Sequence, residues 1–232
     1  MTDRPLVAIV VFPGSNDDRD AAWALGSVGA EPALVWHEGS SLPPGTGAVV
    51  LPGGFSYGDY LRTGAIASTA PVMSAVREFA ATGGPVLGIC NGFQILCEAR
   101  LLPGVLRPNR QLEFVCRDSR VRVESADSLF MRRCKVGQEL VIPVKHGEGA
   151  WYADEGTFVQ LAARGHIVLR YEEDVNGSLG NVAGVVNEAG NVMGLMPHPE
   201  HAVDPLLGSA DGGLLLAALV DAAAAHRVAV PA

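Results

Sequence analysis

The segment PVLGICNGFQILCEA, residues 85–99, joins an apolar strand pattern directly to a helix pattern. Cys90 lies at the junction, with Gly88 two residues before it and Gly92 two residues after it. A backbone that folds back this tightly needs small residues at those positions. The segment therefore predicts a nucleophile elbow, with a thiol at a sheet edge and at a helix N-terminus that favours thiolate. Most free cysteines are simply small buried apolar residues, so a catalytic interpretation depends on the rest of the chain.

The first half of the chain alternates apolar runs rich in β-branched residues with helical patterns. Strands are predicted at residues 6–12, 33–36, 48–51 and 86–89, and helices at 18–28, 72–81 and 93–99. This alternation is typical of parallel strands that are joined by helical crossovers and covered on both faces.

The second half contains short strand patterns joined mainly by polar turns. Strands are predicted at 112–115, 120–123, 139–144, 167–171, 182–186 and 192–196, helices at 156–163 and 213–226, and a disordered tail at 226–232. The predicted fold class is therefore α/β, a mostly parallel open sheet with helices on both faces and an antiparallel extension. The length suits one domain spanning residues 1–232.

The composition excludes several kinds of partner. Of the 232 residues 48% are hydrophobic and 18% charged, with a net charge of −8, which argues for a globular protein that does not bind nucleic acid. The two lysines, Lys135 and Lys145, lie outside any phosphate-binding loop pattern, so ATP is expected on another chain. The four cysteines lack paired metal-ligand spacing, so no metal site is expected. No apolar run suits a signal peptide or a membrane span, and a cytoplasmic location is the default expectation.

A second motif, LMPHPE at residues 195–200, supplies a base and a carboxylate. Proline after His198 disfavours helical backbone, so His198 is expected to be extended, with Glu200 on the same side of the chain. Glu200 would orient the imidazole, and His198 would take the proton of Cys90 and later give it to a leaving amine. Without the elbow cysteine a surface turn would be the better interpretation of this motif.

A third motif, AVVLPGGFSYGDY at residues 48–60, ends a strand in Pro-Gly-Gly and exposes backbone N–H groups. Ligands of parallel sheets collect at the carboxyl ends of the strands, where Cys90 also lies. The N–H groups of Gly54 and Asn91 are the expected donors to the oxyanion of an acyl transfer. Because Pro-Gly-Gly is common in ordinary turns, this loop is evidence only in combination with the other motifs.

Three polar segments have simpler interpretations. In PGSNDDRD, which follows the first strand, Ser15, Asn16 or Asp17 is expected to cap the next helix rather than to take part in catalysis. The segment 146–149 could form the wall of a pocket or a surface turn. Residues 176–178, Asn-Gly-Ser, are interpreted as a turn.

Together these segments resemble class I glutamine amidotransferases over nearly the whole chain. GICNGFQIL and LMPHPE, in the order Cys, His, Glu, carry the general resemblance. FPGSNDDRD, LPGGFSYGDYLRTGAIA, LRPNRQLEF, KHGEG and NGS, in that order, resemble one family of the class, the glutaminase subunits of phosphoribosylformylglycinamidine synthase.

The resemblance implies a role for each motif. Cys90 would attack the glutamine carboxamide with the help of His198 and Glu200, while the amides of Gly54 and Asn91 hold the oxyanion. The residues expected to seat glutamine are Gly53, Gln94, His146, Gly147, Glu148 and Gly149.

The resemblance also implies partners. Ammonia would pass to a large synthetase subunit, which uses ATP and Mg²⁺ to convert formylglycinamide ribonucleotide to formylglycinamidine ribonucleotide in purine biosynthesis, and a small third subunit often assists assembly. No cofactor is expected in this chain. The alternatives are a stand-alone cysteine hydrolase of the same fold, a peptidase or γ-glutamyl hydrolase, and a non-catalytic subunit. The FSYGDY loop argues against the first, and the intact Cys, His and Glu set argues against the second.

The chain departs from the resemblance at three positions. Many relatives carry a cysteine where Asp17 stands, an alanine where Lys145 stands and an arginine where His201 stands. None of the three is expected to touch the triad, although His201 follows Glu200 directly and could face the synthetase.

Overall fold

The computed structural model describes residues 4–229, in which strands and helices alternate through the first half of the chain. The strands are β1 (Leu6–Val11), β2 (Glu31–Trp36), β3 (Thr46–Leu51), β4 (Val86–Ile89), β5 (Val105–Arg107), β6 (Val115–Val123), β7 (Glu139–His146), β8 (Ala150–Tyr152), β9 (Ile167–Tyr171), β10 (Val182–Val186) and β11 (Val192–Leu195). The helices are α1 (Asp18–Ser27), α2 (Val72–Ala81), α3 (Asn91–Glu98), α4 (Glu155–Ala163) and α5 (Gly212–Ala229).

The main sheet has nine strands in the order β2-β1-β3-β4-β11-β10-β9-β6-β7. From β2 to β11 neighbouring strands are parallel, and from β11 to β7 they are antiparallel. The structure thus confirms the predicted α/β fold with its antiparallel extension. Strands β5 and β8 pair antiparallel in a separate small sheet.

Helices cover both faces of the parallel strands. The chain runs from β1 to β2 in one direction across the sheet, and from β2 to β3 and β4 in the opposite direction. Because the crossovers between parallel strands are right-handed, helices that connect strands in opposite directions lie on opposite faces of the sheet. Helix α1 packs with α5 near β1 and β3, whereas α3 packs against β3, β4 and β11. Burial on both faces explains the continuous apolar runs of these strands, of which fully buried Val7 to Val10 are an example.

The reversal of strand order at β1 opens a crevice at the carboxyl ends of the parallel strands. The segments that follow β1, β3, β4 and β11 contain Asp17, Gly54, Cys90 and His198 respectively. Residues that are far apart in the sequence therefore meet at one edge of the sheet.

Most predicted elements are confirmed to within one or two residues, and α2, β4, β9 and β10 have the predicted bounds. The separate strands predicted at 112–115 and 120–123 are wrong, because one strand, β6, runs through Val115–Val123 while Leu112 lies in a turn with φ +56°. The strand was not recognised as continuous because its middle residues, CRDSR, are polar and largely exposed, so they show no apolar pattern. Strands β5 and β8 were not predicted, because three-residue strands carry too short a pattern.

The predicted disorder of the tail is wrong for residues 226–229, which continue α5, and its remaining residues, 230–232, lie outside the described part of the chain. Among the described helices, none combines the length and the apolar character that a membrane crossing requires.

Candidate active site

The elbow holds Cys90 in a backbone conformation that few residues adopt, with φ +50° and ψ −104°. A side chain on Gly92 would overlap the carbonyl oxygen of Leu51, and one on Gly88 would lie 2.6 Å from the carbonyl oxygen of Gly92. Close approach of backbone therefore requires both glycines. Strain of this kind costs about 1–3 kcal/mol and occurs mainly at functional sites. The Cys90 side chain is buried, and its Sγ lies 3.7 Å from the carbonyl oxygen of Lys145.

His198 and Glu200 form a buried pair beside the elbow. The imidazole Nδ1 lies 2.6 Å from Glu200 Oε1, and each residue is 1% exposed. Because Nδ1 donates to the carboxylate, Nε2 is the nitrogen left for Cys90, and among the described residues it has no hydrogen-bond partner. Burial acts to lower the pKa of His198, but the charges of Glu200 and Cys90 overcome this effect and raise it to about 10. The imidazole is therefore protonated at neutral pH.

The backbone at this pair is only partly the extended chain that the prolines suggest. His198, with φ −104° and ψ 87°, lies near the extended region, but Pro199–His201 form a single 3₁₀ turn. Proline suits the first position of a helical turn. The turn, rather than a strand, brings the Glu200 carboxylate back to the imidazole.

Asp17 does not cap α1, although it stands at the N-cap position, because its side chain makes no capping hydrogen bond. Asp17 Oδ1 lies 2.5 Å from Lys145 Nζ, and Asp17 Oδ2 lies 3.6 Å from His198 Nδ1. His201 is 28% exposed and turns inward, with Nε2 3.3 Å from Asp17 Oδ1 and 3.7 Å from Glu200 Oε1. The expectation that positions 17, 145 and 201 do not touch the triad is therefore wrong.

The 146–149 loop forms a wall of the site and is held by two buried asparagines. Asn109 accepts from the N–H of Gly149 at 2.9 Å and donates to the carbonyl oxygen of His146 at 2.8 Å. Asn176 donates to the carbonyl oxygen of Gly149 at 2.8 Å and lies 3.0 Å from His146 Nε2. Asn176 therefore supports this loop, a role that its interpretation as part of a turn does not include.

His146 contributes to the site as a neutral ring. Burial, followed by the charge of His198, lowers the pKa of His146 to about 4. Its Nε2 accepts from the amide of Asn176, so the single ring proton lies on Nδ1. The positive charge opposite Cys90 is therefore carried by His198 and not by His146.

The predicted oxyanion donors lie close to the thiol. Gly54 lines the same cavity as Cys90, and Asn91 is the first residue of α3, where an N–H has no acceptor within the helix. The Asn91 side chain also accepts from the N–H of Ser56 at 3.1 Å and donates to Gln94 Oε1 at 2.9 Å. The bond to Ser56 joins the elbow to the loop after β3, a contact with no signal in the sequence. The binding of an oxyanion by the two N–H groups stays a prediction.

Gly53 and Gln94 help to determine the shape of the site. A side chain on Gly53 would overlap Asp17 Oδ2 and would lie 2.7 Å from His198 Cε1, so this glycine lets the carboxylate and the imidazole approach. Gln94 lines the cavity, but its amide donates to the carbonyl oxygen of Glu148 at 2.7 Å and accepts from Asn91. The Gln94 amide therefore links the start of α3 to the wall formed by residues 146–149.

The site encloses a cavity of about 290 Å³, a volume that suits a small amino acid. Cys90 and His198 line it together with the carboxylates of Asp59 and Glu148. Asp59 Oδ1 is buried and has no hydrogen-bond partner within residues 4–229. Burial, followed by the charge of Glu148, raises the pKa of Asp59 to about 6. This side of the cavity therefore favours a cationic group of a ligand.

Asp59 and the two aromatic rings at the cavity mouth, Phe55 and Phe114, were not predicted from the sequence. The rings stack with centroids 6.3 Å apart, and each side chain is about half exposed. The loop that carries Phe55 and Asp59 has left-handed backbone at Tyr57, with φ +54°, and at Asp59, with φ +56°. A turn of this kind at non-glycine residues has no sequence signature, because its direction is set by tertiary contacts.

A larger groove of about 890 Å³ lies elsewhere, lined by Cys97 and Arg164 among others. Burial, followed by the charge of Glu98, holds the pKa of the Cys97 thiol far above its usual range. Cys97 therefore remains a thiol and is not an activated nucleophile.

The fold and the site define a class. A thiol on an elbow at the carboxyl edge of an α/β sheet, beside a buried imidazole–carboxylate pair, is the arrangement of a cysteine-dependent enzyme that cleaves amides. Residues 4–211 match the family model described as the CobB/CobQ-like glutamine amidotransferase domain.

Comparison with individual proteins identifies a narrower group within this class. Phosphoribosylformylglycinamidine synthase subunit PurQ of Rubrobacter xylanophilus is 58% identical, over 93% of this chain and 98% of its own length. The same subunit of Bradyrhizobium diazoefficiens is 55% identical, over 91% of this chain and 95% of its own length. A chain of the solved structure of PurLQS from Thermotoga maritima superposes with a TM-score of 0.87 at 41% identity, and the match covers 94% of this chain and 99% of that one. This chain therefore belongs to the glutamine amidotransferase family and, within it, to the PurQ subunits.

Proposed function

We propose that this chain is the glutaminase subunit of phosphoribosylformylglycinamidine synthase and that Cys90 is its nucleophile. The observation that carries the proposal is the small cavity in which the elbow thiol and the His198–Glu200 pair meet. Membership of the PurQ family supports glutamine as the substrate.

In the first half of the reaction the Cys90 thiolate attacks the side-chain carboxamide carbon of glutamine and forms a C–S bond. The carbonyl oxygen gains negative charge and accepts hydrogen bonds from the N–H groups of Gly54 and Asn91. His198 gives its Nε2 proton to the amide nitrogen, the C–N bond breaks and ammonia leaves. Glu200 holds Nδ1 throughout and so keeps Nε2 aimed at the reacting groups.

In the second half a water molecule attacks the glutamyl thioester while His198 accepts its proton. The C–S bond breaks, glutamate leaves, and the thiolate–imidazolium pair of Cys90 and His198 is restored. The new carboxylic acid loses its proton to solvent, so the reaction consumes one water and one glutamine and releases one ammonia, one glutamate and one proton, and no cofactor is needed in this chain.

Asp59 and Glu148 are the groups that we assign to the α-ammonium of glutamine. Both carboxylates line the cavity, and Asp59 Oδ1 has no partner in the described part of the chain. Lys145 lines the cavity too, but its ammonium is already paired with Asp17. The charge that would balance Asp59 and Glu148 therefore comes from the substrate.

The proposal extends to the assembly. The released ammonia passes to the large synthetase subunit, with a small third subunit in the complex, and the likeness to a chain of PurLQS from Thermotoga maritima supports this arrangement. ATP and Mg²⁺ on the synthetase, and a cytoplasmic location of the complex, are further parts of the proposal. The product of the assembly is formylglycinamidine ribonucleotide.

Reconstitution with the synthetase tests the function. The variant Cys90→Ala is expected to lower glutamine-dependent synthesis by at least about a thousandfold, because the nucleophile is lost, and to leave ammonia-dependent synthesis intact. A glutamine-analogue electrophile should label Cys90 in the unmodified chain, and the exposed Cys116→Ala serves as the matched control.

Loss of both activities in Cys90→Ala would contradict the proposal, because it would place Cys90 in a structural role. Steady turnover of a peptide or a polyglutamate by the isolated chain would instead favour the stand-alone hydrolase.

A further inference from the structure

A buried ion pair lies directly behind the catalytic imidazole. Asp17 is 3% exposed, its Oδ1 lies 2.5 Å from Lys145 Nζ, and its Oδ2 lies 3.6 Å from His198 Nδ1. Glu200 occupies the same Nδ1 at 2.6 Å. Two carboxylates thus approach one nitrogen of the base, although a Cys–His–Glu triad requires only one of them.

Lys145 also reaches the nucleophile through its main chain. Its carbonyl oxygen lies 3.7 Å from Cys90 Sγ, while its ammonium binds Asp17 and lies 2.9 Å from His201 Nε2. Asp17 Oδ1 therefore has two nitrogens beside it, Lys145 Nζ at 2.5 Å and His201 Nε2 at 3.3 Å. Lys145 is therefore the cation that balances Asp17, and it is only one third exposed.

The charges near the Cys90–His198 pair come from several elements. The titratable groups include Asp17 and Asp20 around the start of α1, Asp59 in the loop after β3, Lys145, His146 and Glu148 at and just after the end of β7, Tyr171 of β9, and Glu200 and His201 in the turn after β11. Burial acts to raise the pKa of Asp17, but His201, His198 and Lys145 hold it well below its usual range. Asp17 is therefore an anion at the pH at which the enzyme works.

We infer that Asp17 and Lys145 are positioning residues of the glutaminase reaction: Asp17 is a second carboxylate on His198, and Lys145 neutralises it so that thiolate remains favoured at Cys90. The inference rests on the proposed function, since it assigns these residues to the same reaction. Loss of Lys145 alone leaves the negative charge of Asp17 without its cation beside the pair, which disfavours the Cys90 thiolate and makes the imidazolium a weaker acid. Loss of both charges restores the balance.

Alkylation of Cys90 by iodoacetamide tests this charge balance without using glutamine. The rate of modification of the Cys90 peptide is measured by mass spectrometry between pH 5 and 10 in the full chain. Lys145→Met should move the midpoint of the pH dependence up by roughly one pH unit, Asp17→Asn should move it down, and the double variant should restore it. Lys135→Met, at the other lysine, is the matched control and should leave the midpoint unchanged.

The glutaminase rate in the complex gives a second measurement. Lys145→Met should lower kcat about tenfold with little change in KM, and Lys145→Arg and the double variant should recover most of the loss. Thermal unfolding of each variant shows whether it is folded. If a single variant fails to fold, the double variant and Lys145→Arg still test whether charge balance is what Lys145 provides.

Single and double variants that share the wild-type midpoint would overturn the inference. A double variant as impaired as Lys145→Met would do the same, because it would show that charge balance is not what Lys145 provides. Because iodoacetamide reports on Cys90 whatever the natural substrate is, a wrong assignment of glutamine would leave this result intact.

Discussion

The reactivity of Cys90 depends on groups that lie far from it in the sequence. His198 carries the positive charge opposite the thiol, Glu200 fixes the ring by its Nδ1, and Asp17 adds a second carboxylate at the same nitrogen. His146 is also buried, but burial, followed by the charge of His198, lowers its pKa, and its Nε2 meets the neutral amide of Asn176. The two histidines therefore carry different charges at neutral pH, because Glu200 lies beside the ring of His198.

Asp59 provides a prediction at the residue scale. Asp59→Asn should raise the KM for glutamine about tenfold and change kcat less than about twofold, because the α-ammonium is bound equally in the ground and transition states. The wild-type KM should rise as the pH falls through about 6, where Asp59 becomes protonated and loses its charge. The variant should lack this rise, which steady-state kinetics of the complex between pH 5 and 8 would measure.

Asp118→Asn, an exposed position on β6, is the control for Asp59→Asn. A variant at Asp59 with reduced kcat and unchanged KM would show that this carboxylate acts in the chemical step instead.

At the scale of elements, the elbow depends on how closely α3 approaches β3. The carbonyl oxygen of Leu51 occupies the space that a side chain of Gly92 would need. The same approach places the N–H groups at the start of α3 beside the loop that follows β3, where Asn91 binds Ser56. The helix position thus fixes the nucleophile and its surroundings together.

Gly92→Ala is therefore expected to lower the free energy of unfolding by about 3 kcal/mol, because backbone must move to admit the methyl group. Urea unfolding at pH 7 measures this change. Gly26→Ala in α1 is the matched control, since a side chain there meets nothing within 4 Å, and it should raise stability by about 0.5–1 kcal/mol. Equal effects of the two substitutions would contradict the account of the elbow.

At the scale of the whole molecule, the sheet joins two halves of different character. The parallel half supplies the elbow and the loops after β1 and β3, while the antiparallel extension brings β7 and its following loop to the same edge. Asn109 and Asn176, which belong to two other loops, hold that loop in place by hydrogen bonds to its main chain. The site is consequently built from most of the chain. Because its titratable side chains are buried when the chain folds, their pKa values differ between the folded and unfolded states, and stability depends on pH.

His146 makes this link measurable. Its pKa is about 4 in the folded chain and 6.5 as the ordinary value, so between these values the unfolded chain binds more protons and stability is lost as the pH falls. The loss is at most about 3.5 kcal/mol, because one pH unit corresponds to about 1.4 kcal/mol. His146→Gln should flatten the curve of unfolding free energy against pH between 4 and 6.5, whereas His166→Gln should not. Parallel curves for wild type and His146→Gln would contradict this assignment.

The sequence by itself determined the α/β class, the elbow at Cys90 and the pairing of His198 with Glu200. Each of these depends on residues close together in the chain, where alternating apolar runs, glycine spacing and proline restrict the backbone directly. The family resemblance was likewise confirmed, because its motifs are continuous segments. The long polar strand β6 was misread for the opposite reason, since its pattern appears only when its partners are known.

Only the tertiary structure decided that Asp17, Lys145 and His201 surround the imidazole of His198 and that Asp59 lines the cavity. Asp17 and Lys145 are separated by 128 positions, and the pair exists because β1 and β7 deliver them to one edge of the fold. An aspartate at a helix start is expected to cap the helix when only its neighbours are considered. Long-range contacts instead place the Asp17 carboxylate beside Lys145 and His198, because a buried carboxylate is stable only when a cation lies close to it.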